Sequence, residues 1–180
     1  MYFSVELKKR LYEKFGGRCA YTGQPLGEDW QVDHMTPRQQ GWRYKGVSLD
    51  VEGNLVPACK IINHYKRDKD VEGFREYIAT LLQRIRGYHK KDGSYKKGKE
   101  NVCKYLEKVA EMFGISEEKP FDGTFYFERV FPGMDTFRLA GTEKDDLVHE
   151  QRRIKRQREE LREKQLNANI RKLKEKREKK

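Results

Sequence analysis

Two short apolar stretches, separated by a long polar loop, most strongly constrain the fold of this chain. Trp30 and Val32 alternate with polar neighbours, which is typical of a half-buried strand. Residues 54–58 are short and apolar enough for a second strand, and residues 59–66 have apolar side chains at helical spacing. The intervening loop, residues 35–53, has a length that is usually functional inside a compact domain. The pattern therefore predicts strand, loop, strand, helix.

Five polar residues lie at the ends of these predicted elements. Asp33 and His34 end the first strand, and Asn54 begins the second. Asn63 and Lys66 are three residues apart, so a helix places them on one face. A neutral imidazole such as that of His34 can accept a proton near neutral pH. The two asparagines are also compatible with simple turn or helix caps.

The charge balance indicates a polyanionic partner. The chain has 40 Lys and Arg against 29 Asp and Glu, a formal net charge of +11. Basic groups that neutralise phosphates release condensed counterions, so nucleic acid is the expected partner. No apolar run approaches the ~20 residues of a membrane-spanning helix, and a membrane is not expected. The three widely spaced cysteines favour a reducing compartment, so we predict a cytoplasmic protein of bacterial or phage type.

The remaining sequence predicts helices around this centre and an α+β fold class. Amphipathic patterns predict helices over residues 4–15, 71–86 and 101–113, and an aromatic-rich irregular or short-strand segment covers the core at 121–131. The predicted organisation is a core with flanking helices over 1–86, a flexible basic linker over 87–99, a helical and aromatic-rich covering segment over 100–142, and a long charged helix over 143–180.

Several sequence blocks together resemble the HNH endonuclease family, whose core is the ββα-metal fold. The resemblance covers roughly residues 4–80, and the order and spacing of the blocks make it more specific than any single Asp-His pair. The blocks are Cys19-Ala-Tyr-Thr22, Val32-Asp33-His34, Asn54-Leu-Val-Pro-Ala-Cys59 and Asn63-His-Tyr-Lys66. The resemblance implies a ββα-metal HNH core and hydrolysis of phosphodiester bonds in DNA.

The resemblance also implies a role for each polar residue. His34 would be the general base that activates water, and Asn54 would orient it. Asp33 and Asn63 would hold one divalent cation, Mg²⁺ or Mn²⁺, in an oxygen-rich site. Lys66 would contact the same phosphate as the cation.

This chain departs from the family at its zinc knuckles. Many relatives carry two Cys-x-x-Cys pairs, but here Thr22 and Ile62 replace the second cysteine of each. Cys19 and Cys59 alone cannot supply the four ligands of a closed structural zinc site. No structural zinc is therefore expected, and both thiols should pack as small hydrophobes.

Basic residues near the predicted site are candidate DNA contacts, with double-stranded DNA favoured. The alternative for the basic residues in the loop is that they remain in water while Trp42 packs on the core. The candidates are Arg38, Arg43, Lys45, Lys66 and Arg67. The charged helix over 143–180 is either a solvated helix or a docking element for nucleic acid or a protein partner.

Two further functions compete with a nuclease that acts alone. The first is a non-catalytic module that binds nucleic acid or a partner through the same fold. The second is a nuclease subunit of a larger defence or mobile-element complex, docked through its C-terminal helix.

Overall fold

The computed structural model describes residues 3–38 and 49–131, and all of them lie within one compact unit, Met1–Leu139. The predicted charged helix over 143–180 lies outside the described residues, as do Arg43 and Lys45. The described elements, in chain order, are α1 (Val5–Lys14), β1 (Gln31–His34), β2 (Leu55–Ala58), α2 (Lys60–Lys66), α3 (Val71–Ala79), α4 (Leu81–Tyr88), α5 (Glu100–Phe113) and α6 (Tyr126–Val130). Helices and one small sheet make this an α+β structure.

The sheet has two antiparallel strands, and its register decides which side chains meet α2. Asp33 pairs with Val56 and His34 pairs with Leu55. Side chains alternate along a strand, so Gln31 and Asp33 share one face and His34 lies on the other. The face with Asp33 meets α2, which follows β2 directly. The predicted order of strand, strand and helix is confirmed, and residues 39–48 of the predicted loop lie outside the described residues.

The predicted helices α1 and α5 are confirmed, with the expected signals at their ends. Ser4 accepts a hydrogen bond from the backbone N–H of Leu7 at 3.2 Å and so caps α1. α5 ends at Gly114, whose φ of 64° is the left-handed conformation that glycine adopts without strain. These local signals explain why both helix ends could be predicted from sequence.

The single helix predicted over 71–86 is wrong, because the chain forms two helices that break at Thr80. The hydroxyl of Thr80 donates to the carbonyl of Tyr77 at 3.2 Å. A side chain that bonds to the preceding turn competes with the helical backbone pattern and favours a bend. α4 can therefore run in a new direction and pack along α5.

The segment predicted as a flexible basic linker contains a closed turn between His89 and Tyr95. His89 and Tyr95 form an isolated antiparallel bridge, and Asp92 Oδ1 accepts a hydrogen bond from the backbone N–H of Ser94 at 2.9 Å. Gly93, with a φ of 82°, provides the left-handed residue at the tip. The turn fixes His89 close to α5.

Aromatic rings fill the core behind the sheet. The segment over 121–131, predicted to be irregular or a short strand, contains the short helix α6. Tyr21, Phe74 and Phe125 are fully buried, and their ring centroids lie 5.3–5.4 Å apart. Such ring pairs contribute beyond their buried area. This packing fixes the ring of Tyr21 and directs its hydroxyl toward Asp33.

Within the described ranges, no helix combines the length and the apolar character that crossing a bilayer would require.

Candidate active site

Asp33 belongs to a buried charge pair that joins β1 to α2. Its Oδ2 accepts a hydrogen bond from the hydroxyl of Tyr21 at 2.5 Å and lies 3.1 Å from Nζ of Lys66. Lys66 is fully buried and also donates to the carbonyl of His34 at 2.7 Å. Burial and the charge of Asp33 raise the pKa of Tyr21 well above its ordinary value, so the phenol remains a donor. The ammonium is thus shared between the two residues that end β1.

His34 points to the opposite face and pairs with Asp50. Its Nε2 lies 2.7 Å from Oδ1 of Asp50, and its side chain is 14% exposed. Since a carboxylate only accepts hydrogen bonds, Nε2 donates, and the lone pair of a neutral ring is on Nδ1. Arg38 lies 3.5 Å from the other carboxylate oxygen. This geometry holds one tautomer of the imidazole at the protein surface.

Asn54 closes the base of the loop that carries Asp50. Its Oδ1 accepts from the backbone N–H of Thr36 at 2.8 Å, and its Nδ2 donates to the carbonyls of Thr36 and Leu49, both at 3.0 Å. It is fully buried in the short 3-10 turn before β2. Among the described contacts, its side chain bonds to backbone and not to the imidazole. The sequence predicted that Asn54 orients His34. In the structure, the side chain in contact with the imidazole is that of Asp50.

Replacing Asn54 should destabilise the fold more than replacing Asn63. Asn54→Ala removes three hydrogen bonds to buried backbone groups, so we expect the free energy of unfolding to fall by about 3 kcal/mol. Asn63→Ala removes one part-buried hydrogen bond and should cost about 1 kcal/mol. Urea denaturation of both variants measures the difference. Equal losses would contradict the structural role of Asn54.

Asn63 and Lys66 share the face of α2 that lies against β1, as their spacing predicts. Nδ2 of Asn63 donates to Oε1 of Gln31 at 2.7 Å, two residues before Asp33 on the same strand face. No hydrogen bond joins Asn63 to Asp33 among the described residues. The structure therefore places Lys66 beside Asp33, and Asn63 beside Gln31.

The predicted phosphate contacts differ in how accessible they are. Arg38 and Arg67 are exposed, and both lie close in sequence to the ends of the site. Lys66 is enclosed and neutralises Asp33. Its ammonium can reach a phosphate only if that pair opens.

The donor atoms of Asp33 and Asn63 suit a hard divalent cation. A carboxylate oxygen and an amide oxygen are ligands that Mg²⁺ and Mn²⁺ accept. The positive charge beside Asp33 is supplied by Lys66, at 3.1 and 3.4 Å from the two carboxylate oxygens. A cation that binds Asp33 must therefore displace the ammonium of Lys66. Because the carboxylate loses that partner, cation binding becomes less favourable.

Three of the four zinc-knuckle positions, Cys19, Thr22 and Cys59, lie close together, but the donor atoms at the four positions do not match a closed zinc site. Cys19 and Cys59 are both buried free thiols, and Ile62 is a fully buried hydrocarbon. Burial alone would raise the pKa of Cys19, yet hydrogen bonds from Cys59 and Thr22 lower it to about 6. Two sulfurs, a hydroxyl and a hydrocarbon fall short of the ligands that a closed structural site requires.

Comparisons with known proteins add little to this geometry. No family model matches the chain, and no curated protein matches it. Among solved structures, it is similar to the Type II-C Cas9 enzyme from Actinomyces naeslundii, with 21% sequence identity and a TM-score of 0.35. The match covers 67% of this chain and 12% of that one, so this chain spans a small part of that enzyme's length. The assignment of the site depends on its own residues.

Proposed function

We propose that this chain is a metal-dependent HNH-type endonuclease, built on a ββα-metal core, that hydrolyses phosphodiester bonds in DNA. The observation that carries the proposal is the end of β1, where an imidazole held by a carboxylate directly follows in sequence a second carboxylate, which lies on the other face of the strand toward α2. A base, hard donors for a cation and a surrounding excess of positive charge are what hydrolysis of a phosphodiester requires.

His34 is the proposed general base. Nδ1 accepts the proton of an attacking water, and the carboxylate of Asp50, 2.7 Å from Nε2, stabilises the imidazolium that forms. Asn54 acts indirectly, by holding the loop that presents Asp50. A divalent cation at Asp33 and Asn63 would supply stabilisation of the charge that develops on the phosphoryl oxygens.

DNA is the proposed substrate, with the double-stranded form favoured. The net charge of +11 provides attraction that does not depend on sequence. Arg38 and Arg67 are exposed and able to contact the DNA backbone. Arg43 and Lys45 lie outside the described residues and stay candidate contacts from the sequence alone. Lys66 would join them once a cation has taken its place beside Asp33.

A plasmid-nicking assay tests the proposal directly. Purified protein with Mg²⁺ or Mn²⁺ should convert supercoiled DNA to nicked or linear forms, and a chelator should stop the reaction. Asp33→Asn should remove cleavage more completely than DNA binding, measured by fluorescence anisotropy at fixed salt. If no divalent cation supports cleavage, the proposed activity is wrong.

A non-catalytic module that binds nucleic acid is the second candidate, and the enclosed Asp33–Lys66 pair favours it. A carboxylate that is already neutralised does not need a cation. This function predicts binding that weakens steeply with salt and no cleavage under any divalent ion. The same assay therefore separates the two functions.

A further inference from the structure

Three side chains of types that bind zinc lie close together in space. They come well after the proposed nuclease site in the sequence. Cys103 and Glu107 are four residues apart on α5, so they share one helix face. His89 follows the end of α4, and the closed turn over 87–99 holds it against that face. The possible ligand atoms of the three residues all lie within 4.8 Å of one another.

The distances suit a single metal ion. Oε1 of Glu107 lies 3.5 Å from both Nε2 of His89 and Sγ of Cys103. Ordinary zinc bond lengths and a tetrahedral angle place neighbouring ligand atoms about 3.4–3.6 Å apart. Two of the three edges already have that length, and Sγ of Cys103 lies 3.8 Å from the other ring nitrogen of His89, Nδ1.

The contacts around His89 also favour a metal site. Its Nδ1 lies 3.1 Å from the carbonyl oxygen of Ile85, which accepts the ring N–H and leaves Nε2 to face Glu107. Histidines that bind metals are oriented by this kind of contact to the other ring nitrogen. The ring also packs against Tyr95, with centroids 4.9 Å apart, and Tyr95 donates to Glu107 at 3.2 Å. The cluster is therefore preorganised by contacts around it.

We infer that His89, Cys103 and Glu107 form a zinc site that fastens the turn over 87–99 to α5. Sulfur, nitrogen and carboxylate donors together match Zn²⁺ better than the hard cations that oxygen ligands select. Three protein ligands leave one position for water, which can approach because the side chain of Glu107 is 37% exposed. This inference is independent of the proposed nuclease activity.

Metal binding must remove a proton from Cys103. Without metal, the thiol of Cys103 donates to Glu107, with Sγ 3.5 Å from Oε1, and a metal bound between them takes the place of that proton. Zinc uptake should therefore release a proton and weaken as the pH falls. The same three residues acting only as a hydrogen-bonded cluster would show neither effect.

Titration of the full, metal-free chain with Co²⁺ tests the site by its spectrum. Binding at one equivalent should produce a thiolate-to-cobalt charge-transfer band and the strong visible bands of four-coordinate cobalt, and Zn²⁺ should displace it. Cys103→Ser should abolish the charge-transfer band. His89→Gln and Glu107→Gln should each weaken binding by about 100-fold or more, since even outer contacts to a ligand contribute 10–100-fold.

Matched controls use the chain's other thiols and an exposed histidine. Cys59→Ser and His64→Gln should bind Co²⁺ as the unchanged protein does. Absence of a cobalt spectrum, or a spectrum that survives Cys103→Ser, would overturn the inference. So would loss of the band in Cys59→Ser, which would place the metal at Cys19 and Cys59. If Cys103→Ser does not fold, the His89 and Glu107 variants still decide the outcome.

Discussion

Replacing His34 with alanine is expected to lower the rate of metal-dependent DNA cleavage by about 10²–10⁴-fold, the usual contribution of a positioned general base. The variant loses the group that accepts the proton of the attacking water, and it keeps Asp33, Asn63 and the basic surface. DNA affinity should therefore remain within a few-fold of the unchanged protein. Initial rates of plasmid nicking, compared with anisotropy titrations, measure the two effects separately.

His64→Ala is the matched control for this prediction. His64 is exposed on α2 and has no part in the proposed reaction, so its loss should leave the rate unchanged. Asp50→Asn should give an intermediate loss, because the ring keeps a hydrogen-bond partner but loses the charge that stabilises the imidazolium. Undiminished cleavage by His34→Ala would remove the general-base assignment.

The two polar residues at the C-terminal end of β1, Asp33 and His34, could be predicted because the sequence signal is local. Alternation at Trp30 and Val32 placed Asp33 and His34 at a strand end, and β1 does end at His34. Asp50 could not be predicted as the partner of His34. Sixteen residues separate the two, and their contact depends on a loop closed by the hydrogen bonds of Asn54. Contacts of that kind come from tertiary structure, which periodicity does not describe.

Lys66 shows the same division between local and tertiary signals. Its spacing from Asn63 correctly predicted a shared helix face, but the predicted phosphate contact assumed an accessible ammonium. In the fold, Lys66 is fully buried beside the ring of Tyr21 and pairs with the carboxylate of Asp33. Sequence rules place lysine outside unless it is paired, and the pairing became visible only with the fold.

Lys66→Met is expected to lower the free energy of unfolding by about 3–5 kcal/mol, because it leaves the buried charge of Asp33 without its partner. Methionine keeps most of the volume of the lysine side chain, so lost packing contributes little. Urea denaturation measures the change. The double variant D33N/K66M, which removes both charges, should recover much of the loss. A double variant as unstable as the sum of its single variants would contradict the pairing.

The same variant tests how a cation would enter the site. If the ammonium of Lys66 occupies the place of a divalent ion beside Asp33, its removal should make the site bind Mg²⁺ more tightly. Mg²⁺ should then raise the melting temperature of Lys66→Met more than that of the unchanged protein, since a ligand that binds only the folded state stabilises it. The double variant D33N/K66M should lose this extra stabilisation. An equal response in all three proteins would mean that Asp33 is a structural partner of Lys66 and not a ligand, which would favour the non-catalytic binding module.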